Sequence, residues 1–146
     1  MKSICVIGSG ISGSTVANLL SKKYKVDVYE KAKGFGGRSS HKRYLNKLGF
    51  DHGLQYISPK TSKFKKFCSG LQKKRVLKKW QGPHNFDHSK VLENKKHTKL
   101  IGAKGNNAIS KYLLKNINCI FGYELSKIER VRKYWKLSFL NGDVKY

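Results

Sequence analysis

The sequence predicts an α/β fold that opens with a strand–helix–strand unit and closes with a β-meander. Three observations predict it. Residues 3–7 (Ser-Ile-Cys-Val-Ile) form a short β-rich apolar run, the pattern of a strand buried on both faces. From Ile11 to about Lys22 the apolar residues Ile11, Val16, Leu19 and Leu20 recur at helical spacing. Towards the C-terminus, Leu125–Arg132 and Tyr134–Leu140 read as a hairpin, with Asn141-Gly142-Asp143 as the next turn,.

Between the first strand and the helix lies Gly8-Ser-Gly-Ile-Ser-Gly13, and after the helix Tyr24–Tyr29 alternates as a second strand ending in Glu30. Each residue type has a physical task in such a unit. Gly8 permits the tight turn, Gly10 lets backbone approach a pyrophosphate, and Gly13 lets the helix pack closely on the sheet. The helix start at Ile11 and Ser12 offers unpaired N–H groups and a positive dipole end to phosphates. Glu30 is placed to accept a hydrogen bond from a ribose 2′-OH and to repel a 2′-phosphate. A bare G-x-G-x-x-G arises by chance in about one chain in eight of this composition; requiring the acid lowers that to roughly one in a hundred. The expectation is therefore a Rossmann-like dinucleotide-binding βαβ core over residues 1–38.

The next segment bears on which dinucleotide. Lys31-Ala-Lys-Gly-Phe-Gly-Gly-Arg38 places a second glycine turn and one of five arginines directly after the acid. Arg38 brings a charged fork suited to phosphate oxygens. Here the sequence resembles the glutathione-reductase-like FAD-binding superfamily, and within it the renalase-like, amine-oxidase-related flavoproteins. Asp51-His52-Gly53-Leu54-Gln55-Tyr56-Ile57 extends the resemblance, with Leu54 where Ala is usual and Ile57 where Phe is usual. Residues 100–107 (Leu-Ile-Gly-Ala-Lys-Gly-Asn-Asn) resemble a further segment of that family, with Lys104 in place of Pro and Asn106 in place of Met. A helix N-terminal turn with Asn capping explains residues 104–107 equally well.

The resemblance implies FAD as cofactor, held by Gly8, Gly10, Ile11, Ser12, Gly13, Glu30, Lys31, Gly36, Gly37 and Arg38. It also implies Gln55 and Tyr56 beside the flavin ring, and a backbone group of Leu125 at the adenine. His52, Gln55 and Tyr56 are positional candidates only, so no catalytic residue is assigned. The implied activity is oxidoreductase chemistry on a small-molecule substrate, with hydride passing to flavin and on to dioxygen or another acceptor. NAD is the lesser alternative, because the first glycine turn and Glu30 would serve it too. Family members are about twice this length or more. The resemblance therefore covers the N-terminal FAD-binding half, residues 1–146, with a substrate domain and a flavin-closing segment largely absent; the expectation is a truncated product, or one piece of a split protein completed by another chain or domain.

Composition sets the remaining bounds. The chain has 146 residues, 32 Lys or Arg against 8 Asp or Glu, and a net charge of +24. Spread over roughly 7,600 Å² of folded surface, the net charges stand about 18 Å apart, beyond the ~8 Å Debye length. The bases form scattered lysine doublets rather than one block, so a solvated surface is the favoured explanation. A non-catalytic nucleotide-binding protein, or a basic binder of nucleic acid or anionic surfaces, is the competing class. Cys5, Cys68 and Cys119 are odd in number and widely spaced, the pattern of a reducing, cytoplasmic setting rather than a disulfide framework. No apolar run approaches the ~18 residues of a membrane helix, and His84, His88 and His97 lack metal-ligand spacing. Elsewhere the expectations are a helix over Thr61–Lys73 with Phe64, Phe67, Cys68 and Leu71 as its core stripe, strands at Val76–Trp80 and Ile117–Phe121, and a polar loop over Gln81–Lys96.

Overall fold

The computed structural model describes residues 3–44, 48–81 and 98–146. Three parallel strands, β1 (Ser3–Ile7), β2 (Lys25–Glu30) and β7 (Asn118–Phe121), form one sheet in the order β1-β2-β7. Helix α1 (Ile11–Leu20) makes the crossover from β1 to β2. Val26 and Val28 of β2 meet Ala17 of α1 and Leu114 in a buried cluster, joined by Ile4 and Val6. This is the α/β fold expected from the alternating pattern.

Two details differ from expectation. Among the described residues only β2 pairs with β1, which is an edge strand there and alternates between exposed and half-buried residues. On α1 the inward residues are Ser14 and Ala17, while Ile11, Val16 and Leu19 are exposed. The glycine turn brings the helix so close to the sheet that small residues occupy the contact, and of the expected stripe only Leu20 packs on the core.

The other face of β2 carries Tyr29, which packs with Leu137 and Phe139. These belong to the antiparallel meander β8 (Leu125–Val131), β9 (Tyr134–Phe139) and β10 (Val144–Lys145), in the order β10-β9-β8. The parallel sheet thus lies between helices and a meander.

A second core gathers α2 (Ser62–Lys73), the β5 (Leu77–Lys79)–β6 (Leu100–Gly102) pair and α3 (Ala108–Leu113) around Cys68, Leu71, Leu77, Leu100 and Ile109. Thr61 caps α2, its hydroxyl accepting the Phe64 N–H at 3.3 Å,. Only half of the expected stripe is core. Cys68 and Leu71 are buried, whereas Phe64 and Phe67 stack on each other at the surface. A hairpin of β3 (His41–Tyr44) and β4 (Leu48–Asp51), which the sequence did not announce, leads into the 52–57 segment. The expected polar loop and His84, His88 and His97 fall at or within residues 82–97, outside the described residues apart from Gln81. Among the described residues no helix is long and apolar enough to cross a membrane.

Candidate functional site

The chain leaves β1 through Gly8, whose φ of +93° is a left-handed conformation that favours glycine,. Its N–H donates to the Tyr29 carbonyl at 2.8 Å, fixing the turn against β2. Helix α1 begins at once, and its first ladder bond runs from Ser14 N–H to the Gly10 carbonyl at 2.9 Å. The N–H groups of Ile11, Ser12 and Gly13 therefore precede the ladder and have no helical acceptor. No acidic residue occupies that first turn, so the positive dipole end is not neutralised from within. Gly13 makes the close approach possible: a Cβ there would stand 2.0 Å from the Gly8 carbonyl oxygen.

A second glycine turn seats against the first. Gly36 N–H donates to the Ser9 carbonyl at 3.2 Å, and Gly10 and Gly36 pair as an isolated parallel bridge. A Cβ on Gly37 would lie 3.3 Å from Gly10 Cα. Residues 37–39 then form a short 3-10 turn closed by Ser39 Oγ on the Gly36 carbonyl at 2.8 Å. Arg38 is exposed and has no carboxylate partner among the described residues. Its carbonyl accepts the Leu54 N–H at 2.9 Å, which brings the 53–54 segment beside the two turns. Together Ile7, Gly8, Gly10–Gly13, Gly36–Ser39, Gly53 and Leu54 line an open cleft of about 790 Å³. A Cβ on Gly8 would meet nothing within 4 Å, so the backbone there borders free space. Peptide donors, a helix N-terminus and an unpaired guanidinium at such a cradle suit a dinucleotide pyrophosphate.

Glu30 ends β2 beside this cradle and is 6% exposed. One carboxylate oxygen accepts both the Ser9 N–H at 2.7 Å and the Ser9 hydroxyl at 2.8 Å. The other accepts the Ala32 N–H at 2.9 Å. Burial alone would push the Glu30 carboxyl up. The Ala32 and Ser9 N–H groups, the Ser9 hydroxyl and the nearby Lys31 charge outweigh it and hold the carboxyl below its ordinary value,. The side chain is thereby fixed as an ionised acceptor. Its Oε1, with a single donor among the described residues, keeps a lone pair for a further one,.

Of the residues expected at the site, Gly8, Gly10, Ile11, Ser12, Gly13, Gly36, Gly37 and Arg38 come together around the cleft, and Glu30 adjoins it through Ser9. Lys31, Gln55, Tyr56 and Leu125 are not among its lining residues. Lys31 reaches Glu124 at 3.5 Å, with both side chains largely exposed. Tyr56 stacks on Trp80 at 5.4 Å between ring centres, with the Lys99 ammonium over its face. Leu125 packs on the Tyr29–Leu137–Phe139 cluster. The neighbouring Gly53 and Leu54 reach the cleft instead, because the Leu54 N–H is drawn to Arg38. Sequence reasoning also missed Ser9, although a hydroxyl between two turn glycines and an acid at the next strand end were the available signal. Asn106 was missed as well. It is fully buried, accepts the Gly102 N–H at 2.9 Å, and donates to the Leu54 carbonyl at 2.6 Å and the Gln55 carbonyl at 3.3 Å. It thus ties the 54–55 segment to the turn before α3. Asn107 gives no side-chain cap to α3, contrary to the capping expectation. Its amide reaches the Phe35 carbonyl at 3.4 Å, beneath the second glycine turn.

Among solved structures, the chain is similar to the crystal structure of tetracycline destructase Tet(51). The TM-score is 0.61 at 16% identity, over 99% of this chain and 36% of that one. The likeness is one of fold, and the chain spans about a third of that protein's length. Residues 6–71, which hold both glycine turns, Glu30 and the 53–54 segment, match the family model of an NAD(P)-binding Rossmann-like domain. The chain therefore has a mixed α/β fold whose N-terminal part is similar to an NAD(P)-binding Rossmann-like domain.

Proposed function

We propose that this chain is the FAD-binding portion of a flavin-dependent oxidoreductase of the renalase-like, amine-oxidase-related kind. The observation that carries the proposal is the seating of Gly36-Gly37-Arg38 against Gly10, which adds a second set of backbone donors and a guanidinium to the first phosphate cradle. A dinucleotide bound there would have its pyrophosphate against the α1 N–H groups and the Arg38 fork. Glu30 Oε1 would take the ribose 2′-OH, and Ser9 would hold the carboxylate in place for it. Lys31 would stand on the ribose side, and the backbone of Leu125 at the adenine. Gln55 and Tyr56 would border the ring, as the family motif implies. When bound, FAD supplies hydride acceptance from an organic substrate and delivery to dioxygen or another acceptor. The protein residues bind and orient it. A complementing chain or domain would supply the substrate wall, in the cytoplasmic setting that the cysteine usage implies.

A nicotinamide dinucleotide is the second reading, favoured by the family model over residues 6–71. The Glu30 carboxylate would repel a 2′-phosphate, so NAD rather than NADP would bind. The test is the visible spectrum of the purified chain. The proposal expects absorbance near that of oxidised flavin, FAD released on denaturation, and loss of flavin in Glu30→Ala and Gly10→Ala. Unchanged flavin content in both variants, or a colourless chain that binds NAD but not added FAD, overturns it. Colourless protein that binds nucleic acid with a steep salt dependence would support the binder class instead.

A further inference from the structure

We infer that the N-terminal half of α2 docks this chain on the surface of an anionic phospholipid bilayer. The inference goes beyond the flavin reading and does not depend on it, since α2 belongs to the second core and none of its residues lines the glycine cleft. Nine of the 20 residues from Lys60 to Lys79 are basic and none is acidic. Among the described residues all six acids lie elsewhere, within residues 27–51 and 124–143. The lysine doublets that look scattered along the chain are thus unopposed on this element. Helix α2 also has no acid in its first turn, so its positive dipole end adds to the same field.

Two phenyl rings stand within this charge. Phe64 and Phe67 are each 39% exposed, and they stack with 16° between planes and 6.2 Å between centres. The core takes Cys68 and Leu71, further along the helix, and leaves the rings of the first two turns outside. At 3.6 residues per turn, Phe67 lies about 60° round the axis from Phe64, Lys63 about 40° further on, and Lys66 about 60° beyond that. Lys60 directly precedes the Thr61 cap, and all three of these lysines are exposed. A lysine stem beside an exposed ring lies along its apolar surface while the ammonium reaches past it to water or phosphate. The patch therefore has an apolar centre and a cationic border.

The occupant follows from area and charge. The exposed parts of the two rings amount to about 160 Å²,, against roughly 800 Å² per partner in a stable protein–protein interface. That is too little apolar contact to hold a specific polypeptide. A nucleic acid duplex meets the lysines with its phosphates but offers the rings no apolar phase. An anionic bilayer meets both features: its head groups face the ammonium groups, and the acyl chains beneath them receive the rings.

The test is cosedimentation of the 146-residue chain with vesicles of phosphatidylcholine, alone or with about one-third phosphatidylserine. Binding is expected only with phosphatidylserine. It should weaken at least tenfold in Phe64→Ser/Phe67→Ser and in Lys63→Gln/Lys66→Gln, each with its fold checked by circular dichroism. Lys22→Gln/Lys23→Gln removes the same charge from the exposed turn after α1, and should weaken binding less than twofold. Phe67→Trp keeps an aromatic ring and gives a second readout: brominated acyl chains should quench its emission beyond that of the parent chain. No binding at millimolar lipid, no added quenching, or equal losses in the two lysine pairs overturns the inference. So does a single-stranded oligonucleotide that binds the parent chain but not Phe64→Ser/Phe67→Ser, since the rings would then be a base-stacking platform.

Discussion

Gly13→Ala probes the contact that shapes the cradle. Its Cβ would meet the Gly8 carbonyl oxygen at 2.0 Å, the Gly8 carbonyl carbon at 3.1 Å and Val6 Cγ1 at 3.6 Å. The first is backbone, so α1 must slide away from β1. Overpacking of this kind costs about 1–3 kcal/mol, against a helix-propensity gain of up to about 1 kcal/mol for replacing glycine by alanine. The net expectation is a loss of about 1–2 kcal/mol, or roughly 3–8 °C in Tm for a chain of this length. Gly70 is the control. It sits inside α2, where an added Cβ meets nothing within 4 Å, so Gly70→Ala should stabilise by up to about 1 kcal/mol. Thermal unfolding followed by circular dichroism measures both. Unchanged or raised Tm in Gly13→Ala would refute the close packing of α1 on the turn.

Three further predictions concern Glu30, Cys5 and Asn106. The Glu30 carboxyl lies below its ordinary value of 4.5 in the folded chain. Its contribution to stability is therefore present above that value and lost as pH falls through the lower folded value. Ser9→Ala removes one of the donors responsible, so acid unfolding should begin at higher pH than in the parent; an unchanged midpoint would show that the Ser9 hydroxyl does not hold the acid. Partial desolvation of the thiol, with the Asp27 charge behind it, pushes Cys5 up to about 11. Although Cys5 is exposed, its alkylation by iodoacetamide, located by mass spectrometry, should be slow at pH 8 and still rising at pH 10, and a plateau by pH 9 would contradict the shift. Asn106→Leu keeps the bulk but strands the Gly102 N–H and the Leu54 and Gln55 carbonyls. A loss of about 2–4 kcal/mol by urea titration is expected, and a change below about 0.5 kcal/mol would mean the two segments are held by other contacts.

What was legible in the sequence was what depends on neighbours in the chain. The turn–helix–strand run from Gly8 to Glu30 is specified by local periodicity and by glycines whose tasks are steric, and the structure follows it within a residue or two. The α2 start at Thr61 and the meander hairpin were legible for the same reason. Long-range pairing was not. Nothing within residues 3–7 says that β1 has one neighbour among the described residues, because an apolar run reads alike in a central and an edge strand. The outward stripe Ile11–Val16–Leu19 looks like a core face until Gly13 is seen to press the small side of α1 onto the sheet. At the site, the backbone cradle was readable from the glycine spacing. The Ser9–Glu30 clamp and the Asn106 tether were not, since each joins residues 21 and about 50 positions apart through a hydrogen bond with no periodic signature.

The most direct measurement is a displacement titration on the purified chain, with FAD fluorescence quenching as the signal. If the two glycine turns, Arg38 and Glu30 hold the pyrophosphate and adenosine side of the cofactor, ADP displaces FAD in the parent chain and FMN does not. Glu30→Ala should then weaken FAD and ADP binding by a similar factor. Displacement by FMN but not by ADP, or FAD binding unaffected by Glu30→Ala, would contradict the assignment of this cleft.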